Sequence, residues 1–140
     1  MVTPRVHLYL GKMSAREKRS ETVLLVEDEA AVRRLTRRVL EREGYRVLEA
    51  DGPAAALDAA ARYPDEIALL LTDVIMPGGG GPQLYLHLVQ DRPRLRVLFT
   101  SGFGDHVLAQ GGLDDDQPFL AKPYTPGVLL DKIRGILDPS

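Results

Sequence analysis

Two short apolar runs in this chain each end in acid. Val23-Leu24-Leu25-Val26 stops at Glu27-Asp28-Glu29, and Ala68-Leu69-Leu70-Leu71-Thr72 stops at Asp73. If the two runs lie side by side, their carboxylates repel one another unless a cation sits between them. Hard oxygen ligands at that density suit Mg²⁺, which keeps several waters and takes few protein carboxylates. An acidic triplet alone reads as a solvated loop. The lone acid after the second run moves the reading towards a metal site. Asp73 stands in LLLTDVIMP, among residues that favour burial, where an unpaired carboxylate is costly. A carboxylate so placed can also be a nucleophile and carry an acyl phosphate. Lys122 follows the run 118–121 and precedes Pro123, where it can pair with Asp73 or with a phosphoryl group. Thr100 and Ser101 end the run 96–100. Each offers a hydroxyl to a phosphoryl oxygen, and strand alternation turns only one of them towards the site.

These residues need a frame that gathers chain positions far apart in sequence. The runs 23–26 and 68–72 lack alternation, as central strands buried on both faces do. Residues 45–50 (YRVLEA) are β-rich but more polar, as an edge strand is, and 96–100 and 118–121 complete five strands. Helices are predicted between them. Val32, Leu35, Val39 and Leu40 mark one helix face, and Gly44 ends that helix. Ala54–Arg62 follows Pro53, and Pro82–Gln90 turns Leu84, Leu88 and Val89 inward. Weaker periodicity covers 104–110, and a last helix covers 126–137. Strands alternating with helices give an α/β fold with a parallel sheet covered on both faces. In such folds chemistry gathers beyond the carboxyl ends of the strands, here at 27–29, 73–75, 100–102 and 122–123.

At 140 residues, 44% hydrophobic and 27% charged, the chain has room for one domain. The absence of cysteine excludes disulfides and thiolate metal sites. The net charge of −2 sums two unlike parts: residues 1–20 carry five Lys/Arg against one Glu, and the remainder carries 13 against 19 Asp/Glu. The expected organisation is a basic leader or linker at 1–20 and a folded, acidic domain at 21–140. Within the leader, Val6, Leu8 and Leu10 alternate as a strand would. No apolar run approaches the length of a membrane span, and the N-terminal apolar stretch is too short for a secretory signal. A cytoplasmic setting without membrane contact is the expectation.

In order along the chain, VLLVEDE, LLLTDVIMP, VLFTSGFGD and FLAKPY resemble the receiver domain of bacterial two-component response regulators, over about residues 21–140. The SGFGD run and KPYTPGVLLDKIRGIL are most similar to receivers at the C-terminus of hybrid histidine kinases. The resemblance implies a flavodoxin-like (βα)5 doubly wound sheet with strand order 2-1-3-4-5 and a cis Lys122–Pro123 bond. It implies that Asp73 is the phosphoacceptor. Glu27 and Asp28 would be the acidic pair that holds Mg²⁺, Asp28 directly, with the Ile75 carbonyl as a further ligand. Lys122 would bind the phosphoryl group. Ser101 would be the switch hydroxyl, leaving Thr100 on the other face of its strand. Phe119 would be the aromatic that changes rotamer on activation.

The function so implied is signalling rather than turnover. A histidine kinase or histidine phosphotransfer protein would pass its phosphoryl group to Asp73. The face of the predicted fourth helix, fifth strand and fifth helix would then shift, and the same face would serve any homodimer. Arg34 and Arg38, with Arg42, form a basic stripe on the first helix that would meet an acidic partner. Direct DNA binding is not expected of an acidic body with no recognition helix after it. The alternative is a receiver-like interaction module independent of phosphate, against which the full set of Asp73, Asp28, Lys122 and Ser101 argues. An Asp-phosphate phosphatase wants a second acid two residues after the nucleophile, where Ile75 stands.

The chain departs from the family pattern in two places. Gly78-Gly79-Gly80-Gly81 follows Met76-Pro77 where the family has MPxMxG, so a mobile loop is expected there. Glu27 replaces the commoner Asp, and its extra methylene would push a metal contact through water. Ile75 and Phe103 would flank the phosphoryl group. Neither can orient an attacking water, which implies slow self-dephosphorylation.

Overall fold

The computed structural model describes residues 20–102 and 117–139. The leader to residue 19, Phe103 and the predicted fourth helix lie outside the described residues, so the readings placed on them go no further.

The elements are β1 (Thr22–Val26), α1 (Ala30–Arg42), β2 (Arg46–Ala50), α2 (Pro53–Arg62), β3 (Leu69–Asp73), α3 (Gly81–Asp91), β4 (Arg96–Ser101), β5 (Phe119–Ala121) and α4 (Pro126–Leu137). All strand pairs of the main sheet are parallel, in the order β2-β1-β3-β4-β5. This is the expected order. Local signals place the helix ends: proline opens α2, α3 and α4, and the Thr125 hydroxyl caps α4 by accepting from the Val128 N–H at 3.2 Å. Gly44 turns the chain out of α1 with φ of 104°.

Alternate residues of the central strands feed two apolar layers. Leu24, Val26, Leu70, Val97 and Phe99 pack with Ala56, Ala60, Leu84 and Leu88 of α2 and α3. Val23, Leu25, Leu69, Leu71 and Leu98 pack with Leu40, Leu129 and Ile133 of α1 and α4. Burial on both faces explains the unbroken apolar runs of β1 and β3. Each fully buried Leu or Ile contributes about 2 kcal/mol of transfer free energy, which holds the strand ends, and the acids on them, in fixed relation. No helix among the described residues is long and apolar enough to cross a membrane.

Two expectations are corrected here. Leu35 is 64% exposed, and Thr36 takes the buried place on α1. The buried face runs through positions 32, 36 and 40, so Leu35 sits a third of a turn away from it. The glycine run is not a featureless loop. Ile75–Met76 pairs antiparallel with Gly79–Gly80, and Gly81 is the first residue of α3. Gly78 and Gly79 have φ of 90° and 139°, conformations that other residues rarely adopt. At Gly81 a Cβ would collide with the Asp73 carbonyl oxygen. The glycines are required by backbone direction and by close approach to the strand that carries Asp73.

Candidate functional site

The carboxyl ends of β1, β3, β4 and β5 converge on one open depression of about 260 Å³, lined by Asp28, Asp73, Ile75, Thr100, Ser101 and Lys122 among others. A larger groove of about 690 Å³ runs between α2 and α3, floored by Leu57, Ala60 and Leu88. It gathers no carboxylate cluster, so the chemistry belongs to the smaller depression.

Backbone hydrogen bonds fix each residue of the site. The Glu27 N–H donates to the Ala50 carbonyl at 3.1 Å, and the Arg33 guanidinium donates to the Glu27 carbonyl at 2.7 Å. The Val74 N–H donates to the Thr100 carbonyl at 2.9 Å, and the Lys122 N–H donates to the Ser101 carbonyl at 2.8 Å. The Lys122–Pro123 bond is cis.

On this frame Glu27 and Asp73 are both buried, with Asp28 exposed beside them. Lys122 Nζ bridges the two buried acids, 2.7 Å from Glu27 Oε1 and 2.8 Å from Asp73 Oδ1. Glu27 Oε2 accepts from the Glu29 N–H at 3.1 Å. The Thr100 hydroxyl donates to Asp73 Oδ1 at 2.7 Å. Burial pushes the Glu27 carboxyl above its ordinary range, because desolvation and the neighbouring Asp73 outweigh the bonds from Lys122 and the Glu29 N–H. Burial also works against the Lys122 charge. Hydrogen bonds and attraction from Asp73 and Glu27 overcome it, and the ammonium is held charged, its pKa raised.

Oxygen atoms of Glu27, Asp28 and Asp73 lie within 4.8 Å of one another. A set of three hard oxygens in which two buried acids share one lysine fits a small divalent cation, since excess negative charge remains to be neutralised.

The sequence expectations meet this geometry unevenly. Glu27, Asp28, Asp73 and Lys122 come together as expected, and Ile75 lies at the edge, 67% exposed. Phe119 is half-buried against the α2–α3 layer and pairs in register with Phe99. Arg34 and Arg38 are exposed, whereas Arg33 and Arg37 of the same helix are paired with Glu49. The placement of Thr100 on the far face is wrong. Thr100 registers opposite Asp73, as Leu98 does opposite Leu71, and partners in a parallel pair share a face. The sequence runs do not carry this register: counted from 68 and 96, Thr72 and not Asp73 would stand opposite Thr100, and the observed strand starts one residue later, at Leu69. The hydrogen bond between the Tyr124 and Thr36 hydroxyls, 3.3 Å between oxygens, ties the loop after Lys122 to α1. It had no local signal, because 88 residues separate the partners.

A parallel sheet in this strand order, with a buried aspartate, an acidic neighbour pair and a lysine at its carboxyl edge, defines an α/β module of the receiver type. The chain belongs to the response regulator receiver domain family, whose model matches residues 23–134. It is 35% identical over 120 residues to the sensor kinase CckA of Brucella abortus, covering 85% of this chain but 13% of the kinase. It is 33% identical to the response regulator receiver protein CpdR of the same organism, covering 82% of this chain and 95% of that protein. Among solved structures, the receiver domain of the hybrid histidine kinase CckA matches with a TM-score of 0.67 and 34% identity over 84% of this chain and 99% of that one.

Proposed function

We propose that this receiver, acting in the cytoplasm, accepts a phosphoryl group on Asp73 from a phosphohistidine of a histidine kinase or phosphotransfer protein. The observation that carries the reading is the Lys122 bridge between Glu27 and Asp73, which leaves a buried carboxylate held at the floor of an open depression. Glu27, Asp28, Asp73 and the Ile75 carbonyl would hold Mg²⁺, which when bound neutralises oxygen charge during transfer.

The protein's own residues do the rest. Asp73 is the nucleophile. Lys122 sits on a flexible stem and can follow the transferred phosphoryl group. Ser101, lining the same depression, offers its hydroxyl to a phosphoryl oxygen. Phe119 then takes the space that the Ser101 segment leaves, which biases the face around β5 between two arrangements. The exposed Arg34 and Arg38 present a basic stripe to an acidic patch on the phosphodonor. Ile75 has no group that can orient a water, so the acyl phosphate decays slowly.

The test is labelling by acetyl phosphate with Mg²⁺. Wild-type protein takes up one phosphoryl group, and Asp73→Asn takes up none. Full labelling of the Asn variant would sink the reading and favour a module independent of phosphate. A phosphoryl half-life of seconds would contradict the role given to Ile75.

A further inference from the structure

The geometry points to Thr100 as a positioning residue that aims one oxygen of Asp73 at the incoming phosphorus. This rests on the reading of Asp73 as phosphoacceptor and adds a residue to it. Thr100 is 97% buried, and its hydroxyl donates to Asp73 Oδ1 at 2.7 Å. Lys122 Nζ meets the same Oδ1 at 2.8 Å. Two donors therefore converge on one carboxylate oxygen, while Oδ2 takes no partner among the described residues. The Thr100 backbone is itself pinned, since its carbonyl accepts from the Val74 N–H at 2.9 Å. A β-branched side chain on a pinned backbone has little rotamer freedom.

The two donors have different futures. Lys122 can leave Oδ1 for the phosphoryl group, whereas Thr100 has nowhere to go. Thr100 thus keeps the carboxylate plane fixed before, during and after transfer. Oδ2 forms the new bond to phosphorus. The N–P bond of phosphohistidine, or the O–P bond of acetyl phosphate, breaks, and its electron pair leaves with the imidazole or acetate. Oδ1 becomes the carbonyl oxygen of the acyl phosphate, and the Thr100 proton stays on Thr100. In hydrolysis the carboxylate is the leaving group and negative charge returns to it. A donor on Oδ1 assists that step too. Ser101 lines the same depression, next in sequence to Thr100.

The experiment compares wild type, Thr100→Val and Thr100→Ser in the full chain, using acetyl phosphate and Mg²⁺. Thr100→Val should lower the maximal labelling rate about tenfold and leave half-saturation by acetyl phosphate unchanged, because the lost bond is to the nucleophile and not to the donor. Its acyl phosphate should live several times longer. Thr100→Ser restores both. Thermal denaturation without Mg²⁺ checks the fold, and Thr100→Ala replaces the Val variant if that one fails to fold. A Val (or Ala) variant that labels and decays at wild-type rates overturns the inference, as does a loss that Ser does not restore. If wild type is not labelled, or Asp73→Asn is, the underlying reading fails instead.

Discussion

The two rims of the sheet bury polar groups in opposite ways. At the amino-terminal rim, the Thr22 hydroxyl lies 2.8 Å from the Tyr63 hydroxyl. The Arg92 guanidinium there donates to the carbonyls of Ala60, Tyr63 and Asp65 at 3.0, 2.8 and 2.9 Å. A cation is matched to neutral acceptors at the end of α2, which satisfies orphan helix carbonyls. At the carboxyl rim, one lysine is matched to two carboxylates, with a third nearby. The first arrangement is complete in itself. The second carries excess negative charge and a carboxyl pushed up in pKa. Stability is served at one end, and at the other it is given up for a cluster whose excess negative charge a cation would offset.

The sharpest way to break this contrast is to remove each cation in turn. Lys122→Ala leaves Glu27 and Asp73 buried together with nothing between them. It should cost about 3 kcal/mol in the absence of divalent cation, and Mg²⁺ should recover most of the loss. Arg92→Ala should cost about 2 kcal/mol through three lost charged hydrogen bonds, and Mg²⁺ should recover none of it. Thermal denaturation of both variants with and without Mg²⁺ checks the pair. Equal responses to Mg²⁺ would erase the distinction between the rims.

The same contrast explains what the sequence made legible. Glu27, Asp28, Asp73 and Lys122 could be read because each ends or follows an apolar run, so the strand pattern and the chemistry point at one edge. The order of the parallel sheet came from the family resemblance and agrees with the observed pairing. Arg92 could not be read, because its acceptors lie 27 to 32 residues away and are backbone atoms that no side-chain pattern marks. Thr100 was misplaced because alternation along one strand says which residues share a face, while the register with β3 decides which face holds Asp73. Leu35 and Thr36 were exchanged for a similar reason. Apolar type suggested the core face of α1, but helix phase put the hydroxyl inside, where it meets Tyr124.

The smallest effect sharpens the comparison most, because its sign is unusual. Glu27→Gln removes a buried charge from a cluster that is already too negative, and Lys122 keeps Asp73 as its partner. The Glu27 carboxyl titrates above the ordinary value of 4.5 in the folded state, so the fold prefers its protonated form. The stability this preference gives is fully present below the ordinary value and is lost as pH rises through the raised one. At neutral pH the wild type therefore bears a penalty that the Gln variant lacks. Without Mg²⁺, Glu27→Gln should be more stable than wild type by about 1 kcal/mol, a rise in Tm of a few degrees, and the difference should fade as the pH falls below the ordinary glutamate value. Adding Mg²⁺ should reverse the order at neutral pH, because the carboxylate that burdens the empty fold is one that would hold the ion. A Gln variant less stable than wild type without Mg²⁺ would mean that the Lys122 bridge already balances this rim, and the two ends of the sheet would then be alike.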